Sequence, residues 1–167
     1  STDGYGIETA IKEEFGISLN KKRVLFVGAG GAARAAAARI AKSGATAITV
    51  INRSEANAQL LLETAKLMNP DCETQFIASS DLSKHTKICQ EYDILIQCTS
   101  LGLKDGDAQP FPSALLHSSI LVMDMIYKVT PFQIAAKEAG CKTAGGLGML
   151  LHQGVKSWEM WTDMKAP

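Results

Sequence analysis

The residues that could do chemistry fall into four short groups. The first is Gly28-Ala29-Gly30-Gly31-Ala32-Ala33, which fits the pattern G-x-G-x-x-A. Gly28 allows a tight turn, Gly30 lets the backbone come close to a pyrophosphate, and Ala33 lets a helix pack closely on a strand. A helix opening at such a loop offers free N–H groups and the positive end of its dipole to phosphate. The second group is Asn52-Arg53-Ser54, about twenty residues on. An acidic residue at this place holds a free ribose 2′-hydroxyl, so an arginine points instead to a 2′-phosphate, and hence to NADP(H). Ser54 and the helix after it add donors. Glu55 argues the other way, because its carboxylate accepts from a hydroxyl and repels a phosphate, which keeps an NAD reading open. The third group is Thr99-Ser100, and the fourth is Met125-Ile126-Tyr127; each ends an apolar run.

The elements that must carry these groups alternate between short β-branched runs and longer helical segments, the pattern of a parallel sheet with crossover helices. Strands are expected at Val24–Val27, Ala47–Ile51, Thr74–Ile77, Tyr92–Cys98 and Ile120–Met125, with a short sixth at Cys141–Thr143. Helices are expected at Gly6–Phe15, Ala32–Ser43 ended by Gly44, Ser54–Met68, and from Ser80 or Asp81 to Gln90. Two more are expected from Thr130-Pro131 to Gly140 and at Leu147–Met164. The fold class is therefore α/β, a Rossmann-type doubly wound parallel sheet with helices on both faces. In such a sheet the ligand lies above the carboxyl ends of the strands, where all four groups fall.

Composition narrows the field. The 167 residues balance 17 Lys plus Arg against 17 Asp plus Glu, so no general electrostatic grip on nucleic acid or an anionic membrane is expected. No apolar run reaches the ~18 residues of a membrane helix. The N-terminal residues lack the basic and apolar regions of a secretory signal. The four cysteines have neither metal-ligand nor redox spacing and read as reduced thiols of a cytoplasmic protein. Asp105-Gly106-Asp107 reads as a solvated turn rather than a metal site. It lies in the long 99–119 connection, a length that marks a functional or mobile loop. His85 and His117 read as surface residues, His117 without a visible partner, and His152 as non-catalytic.

Taken in order, the motifs resemble the cofactor half of the shikimate dehydrogenase family. The matching segments are Val27 to Arg34, Asn52-Arg53-Ser54, Cys98-Thr99-Ser100-Leu101-Gly102, Asp124-Met125-Ile126-Tyr127, Thr130-Pro131 and Gly146 to Gln153. Thr2-Asp3-Gly4-Tyr5-Gly6 resembles the family's N-T-D-G-x-G segment, with Ser1 in place of the Asn. The resemblance implies reversible hydride transfer between the 3-carbon of shikimate and NADP. It implies that Asp3 is the acid–base partner of a lysine and a substrate contact, that Tyr127 and Gln153 also contact substrate, that Met125 and Gly146 flank the nicotinamide, and that Thr99 and Ser100 edge the cofactor. It also implies a substrate domain before Ser1, carrying a Ser-x-Ser motif and the catalytic lysine. Residues 1–20 would then be a linker helix from that domain, 21–146 the NADP-binding domain, and 147–167 a helix packing back toward it. Both end helices would face the absent domain and, left bare, favour self-association. The alternatives are an NAD-accepting quinate/shikimate dehydrogenase domain, a non-catalytic regulatory module that senses NADP(H), and a structural module with a vestigial glycine loop.

Overall fold

The computed structural model describes residues 2–166, so Ser1 lies outside them. Six parallel strands form one sheet: β1 (Arg23–Val27), β2 (Ala47–Asn52), β3 (Glu73–Ala78), β4 (Ile94–Gln97), β5 (Leu121–Asp124) and β6 (Thr143–Ala144), in the order 3-2-1-4-5-6. This is the doubly wound order, and its reversal falls between β1 and β4. The central strands are buried on both faces, as their unbroken apolar runs require.

The helices are α1 (Asp3–Phe15), α2 (Gly31–Lys42), α3 (Glu55–Met68), α4 (Ile88–Glu91), α5 (Pro131–Glu138) and α6 (Leu147–Thr162). One core layer joins α1, α2 and α3 to the sheet through Ile7, Ile11, Phe26, Ile40, Ile48 and Leu61. The other face is filled by Leu25, Leu95, Phe111, Val122 and Phe132. Thr130 caps α5 by accepting from the Gln133 amide at 3.1 Å, with Pro131 at the first helical position. Gly44 adopts the left-handed φ of +91° that the end of α2 requires.

Two expectations are corrected. The helix expected from Ser80 or Asp81 to Gln90 is broken into a 3-10 segment, Ser79–Lys84, and the single turn of α4, with Ala78 rather than a side-chain cap at its start. Only Leu82, Ile88 and Cys89 bury there, and the polar His85-Thr86-Lys87 between them supply no apolar face to continue a helix. The first helix lies against this core. Ile7, Ala10, Ile11 and Phe15 are buried, and α1 packs between α2 and α6. Its two glycines permit that approach: a Cβ at Gly4 would stand 2.8 Å from the Ala35 carbonyl oxygen, and one at Gly6 would stand 2.6 Å from that of Met149. Finally, His117 has a partner, since its Nδ1 lies 2.7 Å from Ser119 Oγ.

The last helix behaves differently. Met149 faces inward, while Leu147, Leu151, Trp158 and Trp161 leave an apolar stripe exposed, with Trp161 at 85%. The 99–119 connection is pinned rather than loose. Phe111 is fully buried, Asp107 Oδ2 accepts from the amides of Gly102 and Lys104 at 2.9 and 3.0 Å, and Lys128 Nζ donates to the Leu103 carbonyl at 2.7 Å.

Candidate active site

The glycine loop turns β1 into α2. Gly28 has φ +100°, a conformation that strains any residue with a Cβ, and a Cβ there would also lie 2.8 Å from the Thr99 methyl. Gly30 is the N-cap of α2 and makes no side-chain capping bond, and no acidic residue occupies the first turn. Nothing comes within 4 Å of the positions where Gly30 and Gly31 would carry side chains. The first amides of α2 are thus free of a side-chain cap and open to an anion.

A cleft of about 470 Å³ runs along this loop. At the β2 end it is lined by Asn52, Arg53 and Asn57, and at the β4 end by Thr99, Ser100 and Leu101. The Arg53 guanidinium is exposed and joins no ion pair among the described residues. Asn52 shapes the turn, its Nδ2 donating to the Ser54 carbonyl at 2.8 Å. Ser54 caps α3 by accepting from the Asn57 amide at 3.4 Å. Glu55 is exposed and lies outside the lining of the cleft, whereas Asn57 lies within it.

A second pocket of about 180 Å³ adjoins the start of α2 at Ala32. Asp3, Tyr127 and Gln153 supply its polar groups, while Met125, Gly146 and Met149 form apolar and backbone walls. Three remote segments converge here: the first turn of α1, the loop after β5, and one face of α6. The Gly146 amide donates to the Ile126 carbonyl at 2.9 Å, which fixes the start of α6 against the β5 loop. Most of the sequence-expected residues line one or other of these two adjoining clefts, whereas Gly31, in the first turn of α2, and Ser54, the cap of α3, line neither. Ala29 and Gly30 lie in the first, and Ala32 in the second.

Beneath both clefts lies a buried polar cluster that sequence reasoning did not single out as functional. Asp124 is fully buried. Its Oδ2 accepts from Thr130 Oγ1 at 2.7 Å, and its Oδ1 from the Ile126 amide at 3.0 Å and Gln97 Nε2 at 3.5 Å. Burial pushes its carboxyl above the usual range, and these hydrogen bonds oppose that shift. Gln97 Oε1 accepts from the Thr99 amide, and its Nε2 donates to the carbonyls of Thr99 and Leu101, each at 3.3 Å. A polar residue closing the run Ile94-Leu95-Ile96 was the available signal. Asn57 also had one, since it lies a helical turn beyond Arg53.

The strand order and the glycine loop that turns β1 into α2 place the chain in the doubly wound α/β class. Residues 9–104 match the family model for Shikimate / quinate 5-dehydrogenase, and residues 146–167 match that for the Shikimate 5'-dehydrogenase C-terminal domain. The chain belongs to the shikimate/quinate 5-dehydrogenase family. It is 38% identical to a shikimate dehydrogenase (NADP(+)) of Desulforamulus reducens, with 100% of this chain and 58% of that protein aligned. The crystal structure of shikimate 5-dehydrogenase from Listeria monocytogenes in complex with shikimate and NAD superposes with a TM-score of 0.89. It is 34% identical and covers 99% of this chain and 59% of its own. A ligand-free 5-ketofructose reductase of Gluconobacter sp. superposes with a TM-score of 0.85 at 32% identity, covering 100% of this chain and 59% of its own. The chain thus spans somewhat under two thirds of the length of these relatives. Among the described residues no helix is long and apolar enough to cross a membrane, and no group of three His, Cys, Asp or Glu is placed to hold a metal ion.

Proposed function

We propose that this chain is the NADP(H)-binding part of a shikimate dehydrogenase, which interconverts shikimate and 3-dehydroshikimate. One observation carries the reading: the ligand-facing groups are laid out across four adjacent strands. Arg53 stands at the end of β2, the glycine loop at β1, Thr99 at β4 and Met125 at β5, in the spatial order 2-1-4-5. Three strand spacings span roughly 14 Å, which suits a dinucleotide better than a mononucleotide.

In this reading the first amides of α2 hold the pyrophosphate, and the Arg53 guanidinium pairs with the 2′-phosphate. Glu55, outside the cleft, leaves that phosphate unopposed, which favours NADP(H) over NAD. The bound cofactor supplies a carbon that accepts or returns hydride. Met125 and Gly146 form the wall against which that end of the cofactor lies. Tyr127 and Gln153 hydrogen-bond the substrate's ring oxygens. The Asp3 carboxylate, with the lysine implied by the family, orients the reacting hydroxyl and helps move its proton. By itself the chain holds cofactor and is nearly inactive. It is a cytoplasmic protein in this reading, and its exposed α6 stripe supports self-association.

Calorimetric titration tests the assignment: NADPH should bind much more tightly than NADH. Equal affinities would favour the NAD-accepting quinate/shikimate alternative. Absence of binding to either would overturn the cofactor reading. Adding the remaining part of a relative in trans should restore shikimate-dependent reduction of NADP. Association without activity would point to the regulatory reading.

A further inference from the structure

We infer that Gln97 and Asp124 are positioning residues for the nicotinamide end of the cofactor, acting through one buried hydrogen-bond network that fixes the two strand-end loops around it. The inference rests on the dinucleotide reading above and adds two residues that touch neither cleft as hydrogen-bonding groups.

The geometry is specific. β4 and β5 are neighbours, with Gln97 and Asp124 in direct register at their C-terminal ends. Each side chain then turns to hold the loop that leaves its own strand. Gln97 holds Thr99 by both its amide and its carbonyl, and Leu101 by its carbonyl. Asp124 holds the Ile126 amide. The carbonyl of that same Ile126 receives the Gly146 amide, so the start of α6 is tied to the same point. The Gln97–Asp124 contact links the two loops to each other.

Hydrogen-bond direction is settled as well. Thr130 Oγ1 accepts the Gln133 amide, so its own proton is directed to Asp124. Asp124 therefore receives three donors, and an acceptor-only side chain is needed there. With both residues fully buried, water cannot replace a lost partner, and a loop freed from the network would leave unpaired groups behind. Thr99 and Leu101 line the cofactor cleft, and Met125, Tyr127 and Gly146 line the adjoining pocket. The network thus lies under the β4–β5 half of the site. Among the described residues, none of its hydrogen bonds reaches Asn52, Arg53 or Asn57.

That asymmetry supplies the test. The chain and its Gln97→Leu and Asp124→Asn variants are titrated with NADPH and with 2′,5′-ADP, which carries the 2′-phosphate but no nicotinamide. Thermal unfolding establishes that each variant is folded at the working temperature. The expected result is an NADPH affinity weakened about ten-fold or more, with 2′,5′-ADP affinity kept within about two-fold. Thr130→Ser, which keeps the hydroxyl, should bind NADPH like the parent chain. Equal weakening of both ligands would show a merely structural role and overturn the inference. So would unchanged NADPH binding in both variants, or a parent chain that binds NADPH no better than 2′,5′-ADP. Failure of the parent chain to bind 2′,5′-ADP at all would instead overturn the cofactor reading on which the inference rests.

Discussion

A Cβ placed on Gly146 would lie 2.1 Å from the carbonyl oxygen of Met125. No side-chain adjustment relieves a clash with backbone, so the loop after β5 and the start of α6 can meet only through glycine. Gly146→Ala should cost roughly 3 kcal/mol of stability, the upper range for forced overpacking. Denaturant unfolding would measure it. A loss below about 0.5 kcal/mol would mean that α6 moves away freely.

Arg53→Ala should weaken NADPH ~10- to 100-fold, the worth of a charge-assisted contact. NADH, lacking the phosphate, should bind as before. Calorimetry separates the two, and parallel weakening would remove Arg53 as the selector.

The turn at Asp107 should respond to acid. The amides of Lys104 and Gly102 hold its carboxyl below the ordinary value of 3.8. A lowered folded-state pKa gives stabilisation that is complete above the unfolded value and lost as pH falls through the folded one. The amide resonances of Gly102 and Lys104 should therefore shift together below about pH 4. Asp107→Asn, which keeps an acceptor oxygen, should abolish the titration while preserving the turn.

Burial should silence the thiols. Cys89 is pushed up to about 12 by burial and by the neighbouring Cys141, and burial raises Cys72 and Cys141 as well. Only the thiolate is alkylated. Mass spectrometry after treatment at pH 8 should find Cys72 and Cys89 unmodified in the folded chain and labelled in denaturant. Rapid native labelling of Cys89 would show that its helical turn opens readily.

Trp161→Glu should reduce self-association by placing a charge in the exposed stripe of α6. Light scattering across a wide concentration range reads the effect. A monomeric parent chain at every concentration would refute the association.

The layout of the sheet was legible because its signals are local. A glycine loop between an apolar run and an alanine-rich helix, a serine before α3, and Thr130-Pro131 before α5 each act within a few residues. The 79–91 segment departs from the expected helix because a cap at Ser80 or Asp81 is a local signal, whereas the buried face that would hold a helix there is missing. Strand ends were overextended at Tyr92, Ile120 and Met125, which lie just outside the ladders. Tyr92 uses its hydroxyl to meet Thr49 instead. The inward placement of α1 was hidden for another reason. What Gly4 and Gly6 make room for lies on other helices, and in the case of Gly6 more than 140 positions away.

That placement makes the first and last helices an antiparallel clasp. Thr2 meets Ser157, Gly6 meets Met149 and Gln153, and Glu13 meets His152 across 139 positions. Contacts of such sequence separation form late and only once both partners exist. The face of α1 that meets α6 is thus left uncovered until α6 has been synthesised. Asp3 and Gln153, which share a pocket, sit on opposite arms of the clasp. A small molecule bridging them would stabilise the clasped state by mass action. Occupancy of the pocket and closure of the chain upon itself are then one equilibrium, and the melting of α1 and α6 would report ligand binding even where no turnover occurs.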